Sequence, residues 1–344
     1  MVGPDTLILA STSAPLLGRL AAAAVAAGYG CEEHASFVAV QGRRTDLDAF
    51  VLSCAAGASA SDRAGTRALF LDVPLATATA EDVLGPALVA DSIAAIAARA
   101  THGRLLDALV AGEGVHAVYQ PVIEIRTGRT IAFEALLRME HDGHPVPPLD
   151  VFRAATEAGR LPAADAAARR AALRGAAGWI GPRTLFLNLE PSSIARPEDL
   201  DATETVAASV GLDRGQIVFE ASVPADADDR HLARVLDHLR NRGFGIGLDD
   251  VTDHRDALDL VARLRPGTVK IARSMIAELP GIHARSAVAA VVGAAHAVGA
   301  RVVATGIETA AQLDAVLFVG VDDAQGWQVG QPMRAPSGRA AVAV

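Results

Sequence analysis

Ile246-Gly247-Leu248-Asp249-Asp250 is a short apolar run that closes on two adjacent carboxylates. Such a run reads as a buried strand, and a polar pair at its end is out of place unless something answers its charge. Further on, Val269-Lys270-Ile271 is a second buried-strand candidate, and its cation is the single lysine among 31 basic residues. A buried ammonium needs a counter-charge, and a buried carboxylate pair needs a cation or a metal. Arginine is this chain's default cation, so a compact, rotatable amine is required at this place. A leftover surface lysine is the bland alternative, and the other strand ends weigh against it.

From about residue 116 the same plan repeats. Ile131-Ala132-Phe133 runs into Glu134, Leu185-Phe186-Leu187 into Asn188, and Ile217-Val218-Phe219 into Glu220. Thr268-Val269 runs into Lys270, and Arg301 to Ala304 into Thr305. Amphipathic helices follow these runs. After Glu220, Leu232, Val235, Leu236 and Leu239 share one helical face, with Asp228 as capping candidate and Gly243 as the stop. Strand–helix units with functional groups at the carboxyl ends of strands are the plan of a TIM-like (β/α)8 barrel.

In such a barrel Glu134, Asn188, Glu220, Asp249 and Asp250 converge at the mouth, four carboxylates and one amide oxygen. An all-oxygen set suits a hard divalent cation, Mg²⁺ or Mn²⁺, better than zinc. Adjacent aspartates could bridge two ions ~3.5–4 Å apart, an arrangement that activates water and stabilises a phosphoryl transition state. Lys270 beside the pair would neutralise charge and orient water or a phosphate oxygen. The competing account is structural: strand-end carboxylates that cap the following helices.

Composition narrows the rest. The chain has 344 residues and a formal charge of −9, which offers no basic patch for nucleic acid. Cys31 and Cys54 are too few for a disulfide framework or a zinc site, which suits a reducing cytosol. The stretch Leu7 to Ala27 lacks a basic start and is broken by Pro15 and Arg19, and no apolar run spans a bilayer. A cytoplasmic protein without membrane contact is expected. Residues 1–79 are expected to form a small α/β domain, βαβ in type, with strands at Thr6–Ala10, Ala49–Ser53 and Ala68–Val73. It carries no phosphate loop, and Asp46 and Asp48 precede a strand candidate instead of following one. Residues 80–112 read as a connecting helix and 113–337 as the barrel.

Phe133-Glu134-Ala135-Leu136-Leu137-Arg138 carries the signature tripeptide of EAL domains. In order and at family-like spacing follow Asn188, Glu220, the Asp249-Asp250 pair, Val269-Lys270-Ile271-Ala272-Arg273-Ser274 and Ala324-Gln325-Gly326. From Tyr119-Gln120-Pro121 to Gln331-Pro332-Met333 the chain resembles this family of cyclic di-GMP phosphodiesterases. The resemblance implies a barrel with one strand reversed, and Mg²⁺- or Mn²⁺-dependent cleavage of cyclic di-GMP to linear pGpG. It implies metal ligation by Glu134, Asn188, Glu220, Asp249 and Asp250, with Lys270 catalytic. Gln325 matches a site glutamine, and Gln120 and Arg138 match residues that contact the dinucleotide.

Three positions depart from the pattern. The family's Ala-Glu-Gly-Val-Glu is Ala304-Thr305-Gly306-Ile307-Glu308, so the glutamate expected at the second metal is a neutral threonine. Glu308 lies roughly 10 Å further along an extended chain and is a poor substitute. The family's Glu-Ile-Thr-Glu ends here in Val223, and its Lys-Ile-Asp ends in Ala272. The loop after Asp250 also lacks the family's glycines, which narrows the conformations open to it. These losses fall on the second metal and its loop, leaving one metal site expected and the second doubtful. Three readings follow: a degenerate phosphodiesterase that binds cyclic di-GMP with weak or no hydrolysis, an active phosphodiesterase, or a protein-interaction scaffold. A second copy of the chain or a signalling protein is the expected macromolecular partner.

Overall fold

The computed structural model describes residues 5–71, 83, 86–87, 89–195, 197–222 and 229–336. The chain divides into two compact units, Met1–Asp107 with Leu149–Leu161, and Ala108–Pro148 with Pro162–Val344.

In the first unit the elements run β1 (Asp5–Ala10), α1 (Ala14–Ala26), β2 (Gly30–Glu33), β3 (Phe37–Gly42), α2 (Arg44–Gly57), α3 (Ala60–Gly65) and β4 (Arg67–Leu71). The helix α4 (Ile93–Ala111) begins in this unit. The sheet order is β2-β3-β1-β4 and every pairing is antiparallel. The expected strand at Ala49–Ser53 and the βαβ arrangement are therefore corrected. Leu47, Phe50, Val51 and Cys54 are all buried, and their i, i+3, i+4, i+7 spacing is helical, so the segment falls inside α2. Leu7 and Leu9 of β1 pack with Leu16, Phe50 and Ile93 in one core.

The helix α5 (Pro148–Glu157) lies within the stretch expected to be barrel, yet Leu149–Leu161 groups with the first unit. Two contacts bind it there. Arg99 donates to the Ala158 carbonyl at 3.3 Å, and Arg160 pairs with Asp107 at 2.7 Å.

The second unit holds β5 (Val115–Glu124), β6 (Thr130–His141) and β7 (His144–Val146), then α6 (Leu161–Ala176), β8 (Thr184–Leu189) and α7 (Asp201–Ser209). It continues with β9 (Ile217–Ser222), α8 (Asp229–Asn241), β10 (Gly245–Val251), α9 (Arg255–Leu264), β11 (Thr268–Ile271) and α10 (Arg273–Ala277). It ends with α11 (Ile282–Ala297), β12 (Arg301–Thr305), α12 (Ala310–Phe318), β13 (Asp323–Gln325) and β14 (Met333–Arg334). The order β5-β13-β12-β11-β10-β9-β8-β6 closes on itself through β5–β6, giving an eight-stranded barrel. Strand β5 runs antiparallel to both neighbours, and the remaining pairings around the ring are parallel. This is the reversed strand that the resemblance implied.

The helices pack outside. Leu232, Val235, Leu236 and Leu239 of α8 are buried against the barrel's outer face, and Gly243, at a φ of 88°, ends that segment. Asp228, the capping candidate, lies outside the described residues. Inside, Val122, Ala132, Phe186 and Val303 form an apolar plug. One close approach inside the barrel depends on glycine: a Cβ on Gly247 would sit 3.2 Å from Cγ of Glu220. Gly247→Ala is expected to lower stability by about 1–3 kcal/mol through overpacking. A urea midpoint equal to wild type would show that Glu220 has room to move.

Candidate functional site

Strand periodicity builds the site in layers. Side chains two residues apart share a face. Val122, Ala132, Phe186 and Val303 of the plug are thus followed, two positions nearer the mouth, by Gln120, Glu134, Asn188 and Thr305. Gln120 faces Glu134 in the β5–β6 register, and Asn188 faces Glu220 in the β8–β9 register. A polar layer therefore caps an apolar one.

Lys270 is the centre of that layer. It is 1% exposed, and its Nζ donates to Glu134 Oε2 at 2.8 Å and to Glu220 Oε2 at 2.6 Å. The expected partner was the aspartate pair. The two glutamates take that role because β6 and β9 point them inward beneath the mouth, while the aspartates sit a level higher. The Nζ also lies 5.2 Å from the ring centroid of Phe186, which favours a cation. Gln325 donates to Glu134 Oε2 at 2.6 Å and to Gln120 Oε1 at 3.2 Å, while Asn188 donates to Glu134 Oε1 at 3.2 Å.

These contacts set the charges. Burial alone would favour neutral Lys270, but Glu134, Glu220 and Asp249 outweigh it and hold the ammonium charged far into the alkaline range. Burial pushes Glu134 up, and the Lys270 charge with three side-chain hydrogen-bond donors pulls it below the usual range. Glu220 moves the other way. Complete burial raises it well above its ordinary value, Lys270 opposes, and Glu134 and Asp249 add to the rise. Its Oε1 is buried with no hydrogen-bond partner among the described residues.

Asp249 and Asp250 would face opposite ways in a regular strand. Between Leu248 and Val251 the β10–β11 register slips by one residue, and Asp250 takes a φ of 56°. This bulge turns both carboxylates toward one cavity. The Asp250 amide donates to Asp249 Oδ1 at 2.8 Å. Burial raises the Asp249 pKa; the Lys270 charge opposes this, and Glu134 adds to the rise.

The cavity at the mouth has a volume of about 390 Å³. Gln120, Glu134, Asp249, Asp250, Lys270, Thr305 and Gln325, all singled out from sequence, line it. Glu220 is buried behind that wall and joined to it through Lys270, while Asn188, exposed and outside the lining, reaches it through Glu134. Arg138 is not in the lining. It stands further along β6, and its Nη1 donates to the Leu137 carbonyl at 2.7 Å. Thr305 turns its Oγ1 away to the Ile271 carbonyl at 2.8 Å, and Ala272 is buried at the start of α10. Val223 lies outside the described residues.

Arg273 and Trp327 are among the lining residues that had no role from sequence. Arg273 pairs with Glu308 at the rim, its aliphatic stem laid over Gly306, where a Cβ would meet Arg273 Cγ at 2.5 Å. Trp327 lines the cavity with 70% of its surface exposed. The signal for it was present: a tryptophan, one of two in the chain, directly after the Ala324-Gln325-Gly326 motif.

The residues can be tested against the divalent ion that the resemblance implies. Among the described residues no three carboxylate, imidazole or thiolate groups are gathered tightly enough to hold an ion as they stand. The donor chemistry nevertheless fits. The orphaned Glu220 Oε1 and the carboxylates of Glu134 and Asp249 are all-oxygen ligands suited to a hard cation. Glu134, Asn188, Glu220 and Asp249 would hold it, and it would supply charge stabilisation to a phosphoryl group.

Residues 102–332 match the EAL domain family. The chain belongs to the EAL domain family. Among curated relatives of this EAL chain, a cyclic di-GMP phosphodiesterase of Pseudomonas aeruginosa is 31% identical over 67% of this chain and 40% of its own length. An uncharacterised protein of Azorhizobium caulinodans is 29% identical over 62% of this chain and 31% of its own. The chain thus spans less than half the length of these relatives. Among solved structures, the MucR phosphodiesterase in complex with cyclic di-GMP superposes with a TM-score of 0.59 at 25% identity, over 65% of this chain and 98% of that one. The FimX EAL domain of Xanthomonas citri shares the fold, with a TM-score of 0.62 at 21% identity over 71% of this chain and 97% of that one. No helix among the described residues is long and apolar enough to cross a membrane.

Proposed function

We propose that this EAL domain is a cyclic di-GMP receptor that cleaves its ligand slowly or not at all. One observation carries the reading. Where the family pattern has a glutamate, Thr305 presents a neutral hydroxyl already committed to the Ile271 carbonyl, while Lys270, Glu134 and Gln325 keep a complete network beside it. Loss of one anionic ligand removes transition-state stabilisation at a second ion and leaves ground-state binding largely intact. A single ion site made by Glu134, Asn188, Glu220 and Asp249 is retained in this reading.

Gln120, Lys270 and Arg273 offer donors for phosphate and base edges along one wall of the mouth. Trp327 offers an exposed aromatic face on which a guanine can stack. Trp327→Ala is expected to weaken cyclic di-GMP binding by about 1–3 kcal/mol. Its exposure leaves thermal stability unchanged, so a loss of affinity with an unaltered Tm isolates the contact.

The experiment is a calorimetric titration with cyclic di-GMP in Ca²⁺, paired with chromatography for pGpG in Mg²⁺ and Mn²⁺. Saturable binding with product at background supports the receptor. Absence of binding removes it and leaves the interaction scaffold. Turnover that vanishes in Glu134→Gln instead establishes an active phosphodiesterase, the reading favoured by the intact Glu134–Lys270–Glu220 network.

A further inference from the structure

The barrel unit has a second cavity, of about 500 Å³, which shares no residue with the mouth. It opens where the end of α4, the start of β5, one face of α6 and the residues of β14 meet. Its lining runs against the composition of the chain. Arg170, Arg174, Arg334 and His116 face it and no carboxylate does, although the protein carries 40 acidic residues against 31 basic ones.

The cations here are poorly answered. Arg170 and Arg174 stand one turn apart on α6, a spacing that sets like charges side by side. Burial, then Arg174 and Arg169, hold the Arg170 guanidinium below its ordinary pKa. Its Nη2 donates to the Val110 carbonyl at 3.2 Å, near the end of α4. Arg334 reaches Glu140 only at 3.7 Å, and Arg174 has no carboxylate partner among the described residues. Burial and the neighbouring Arg334 also depress His116, with Glu140 opposing and Arg138 adding to the fall, so its imidazole is neutral at pH 7. The remaining wall is aliphatic, with Leu109 and Val115 prominent and no aromatic ring for a nucleobase.

The geometry points to a second ligand site in this cavity, for a phosphate monoester with a short aliphatic body. The guanidiniums of Arg170, Arg174 and Arg334 hold the dianionic head, since planar forked donors match phosphate oxygens. Leu109 and Val115 cover the chain, and the volume suits a small molecule. The site is independent of the nucleotide reading of the mouth.

Titration calorimetry on the full chain with hexyl phosphate, inorganic phosphate and hexanol tests it. Hexyl phosphate is expected to bind at least tenfold more tightly than either fragment. Arg174→Glu and Arg334→Glu, both at exposed side chains, are expected to weaken it at least tenfold each with no change in Tm. Trp327→Ala is expected to leave it unchanged, which places the ligand away from the mouth. Equal binding of inorganic phosphate and hexyl phosphate, full affinity in Arg174→Glu, or sensitivity to Trp327→Ala overturns the assignment.

Discussion

Lys270→Met lowers the stability of the barrel by about 3–5 kcal/mol at neutral pH, read from urea unfolding. The ammonium is buried with two carboxylates within 2.8 Å, and removing it leaves both without their cation. The pH dependence follows. In the wild type, Glu134 is held below its unfolded value, so its contribution is present above the unfolded carboxylate pKa and is lost as pH falls through the folded one. In Lys270→Met the folded pKa of Glu134 rises above the unfolded value, and that of Glu220, already raised by burial in the wild type, climbs further once the opposing ammonium is gone. Their penalty is then absent below about pH 4.3 and grows as pH increases. The stability gap between the two proteins therefore narrows on acidification. A gap that stays constant from neutral to acid pH would mean that the loss is one of packing alone. Adding Glu134→Gln and Glu220→Gln to Lys270→Met should recover much of the loss, since no uncompensated charge remains buried.

Thr305→Glu is the second large effect, on activity. Position 305 pairs with Gln325 in the β12–β13 register and lines the same cavity as Asp249 and Asp250. A carboxylate there restores the missing anionic ligand. If that ligand supplies about 3 kcal/mol of transition-state stabilisation, pGpG formation in Mn²⁺ rises on the order of 10²-fold. Thr305→Gln controls for the lost hydrogen bond to Ile271, having the size without the charge, and should show no gain. Equal rates for Thr305→Glu and wild type would place the limitation elsewhere, with Ala272 the next position to restore.

Much of this was legible in the chain because the relevant signals are local. Apolar runs ending in polar residues gave β8, β9, β11 and β12, and the 3.6 period gave α8. Strand β6 was harder to end. Thr130–His141 carries apolar side chains past Glu134, so the strand outlasts its first functional residue, and Arg138 stands beyond the cavity. The first unit misled because a short apolar run such as Ala49–Ser53 suits either period, and only the burial of Leu47 and Cys54 on the same face shows the helix.

The sequence by itself determined which chemical groups could meet at the mouth: a single lysine, acidic strand ends, and a threonine where the pattern asks for glutamate. Those are facts of residue type and order, and no fold can alter them. Only the tertiary structure decided how they meet. Lys270 bonds to Glu134 and Glu220, which lie 136 and 50 residues away along the chain, because ring closure brings β6 and β9 inward toward β11. The bulge at Asp250 decided that both aspartates share one cavity. Strand periodicity is written in neighbouring residues, but which side chains touch depends on the stagger of a closed sheet, and no local stretch of chain encodes that.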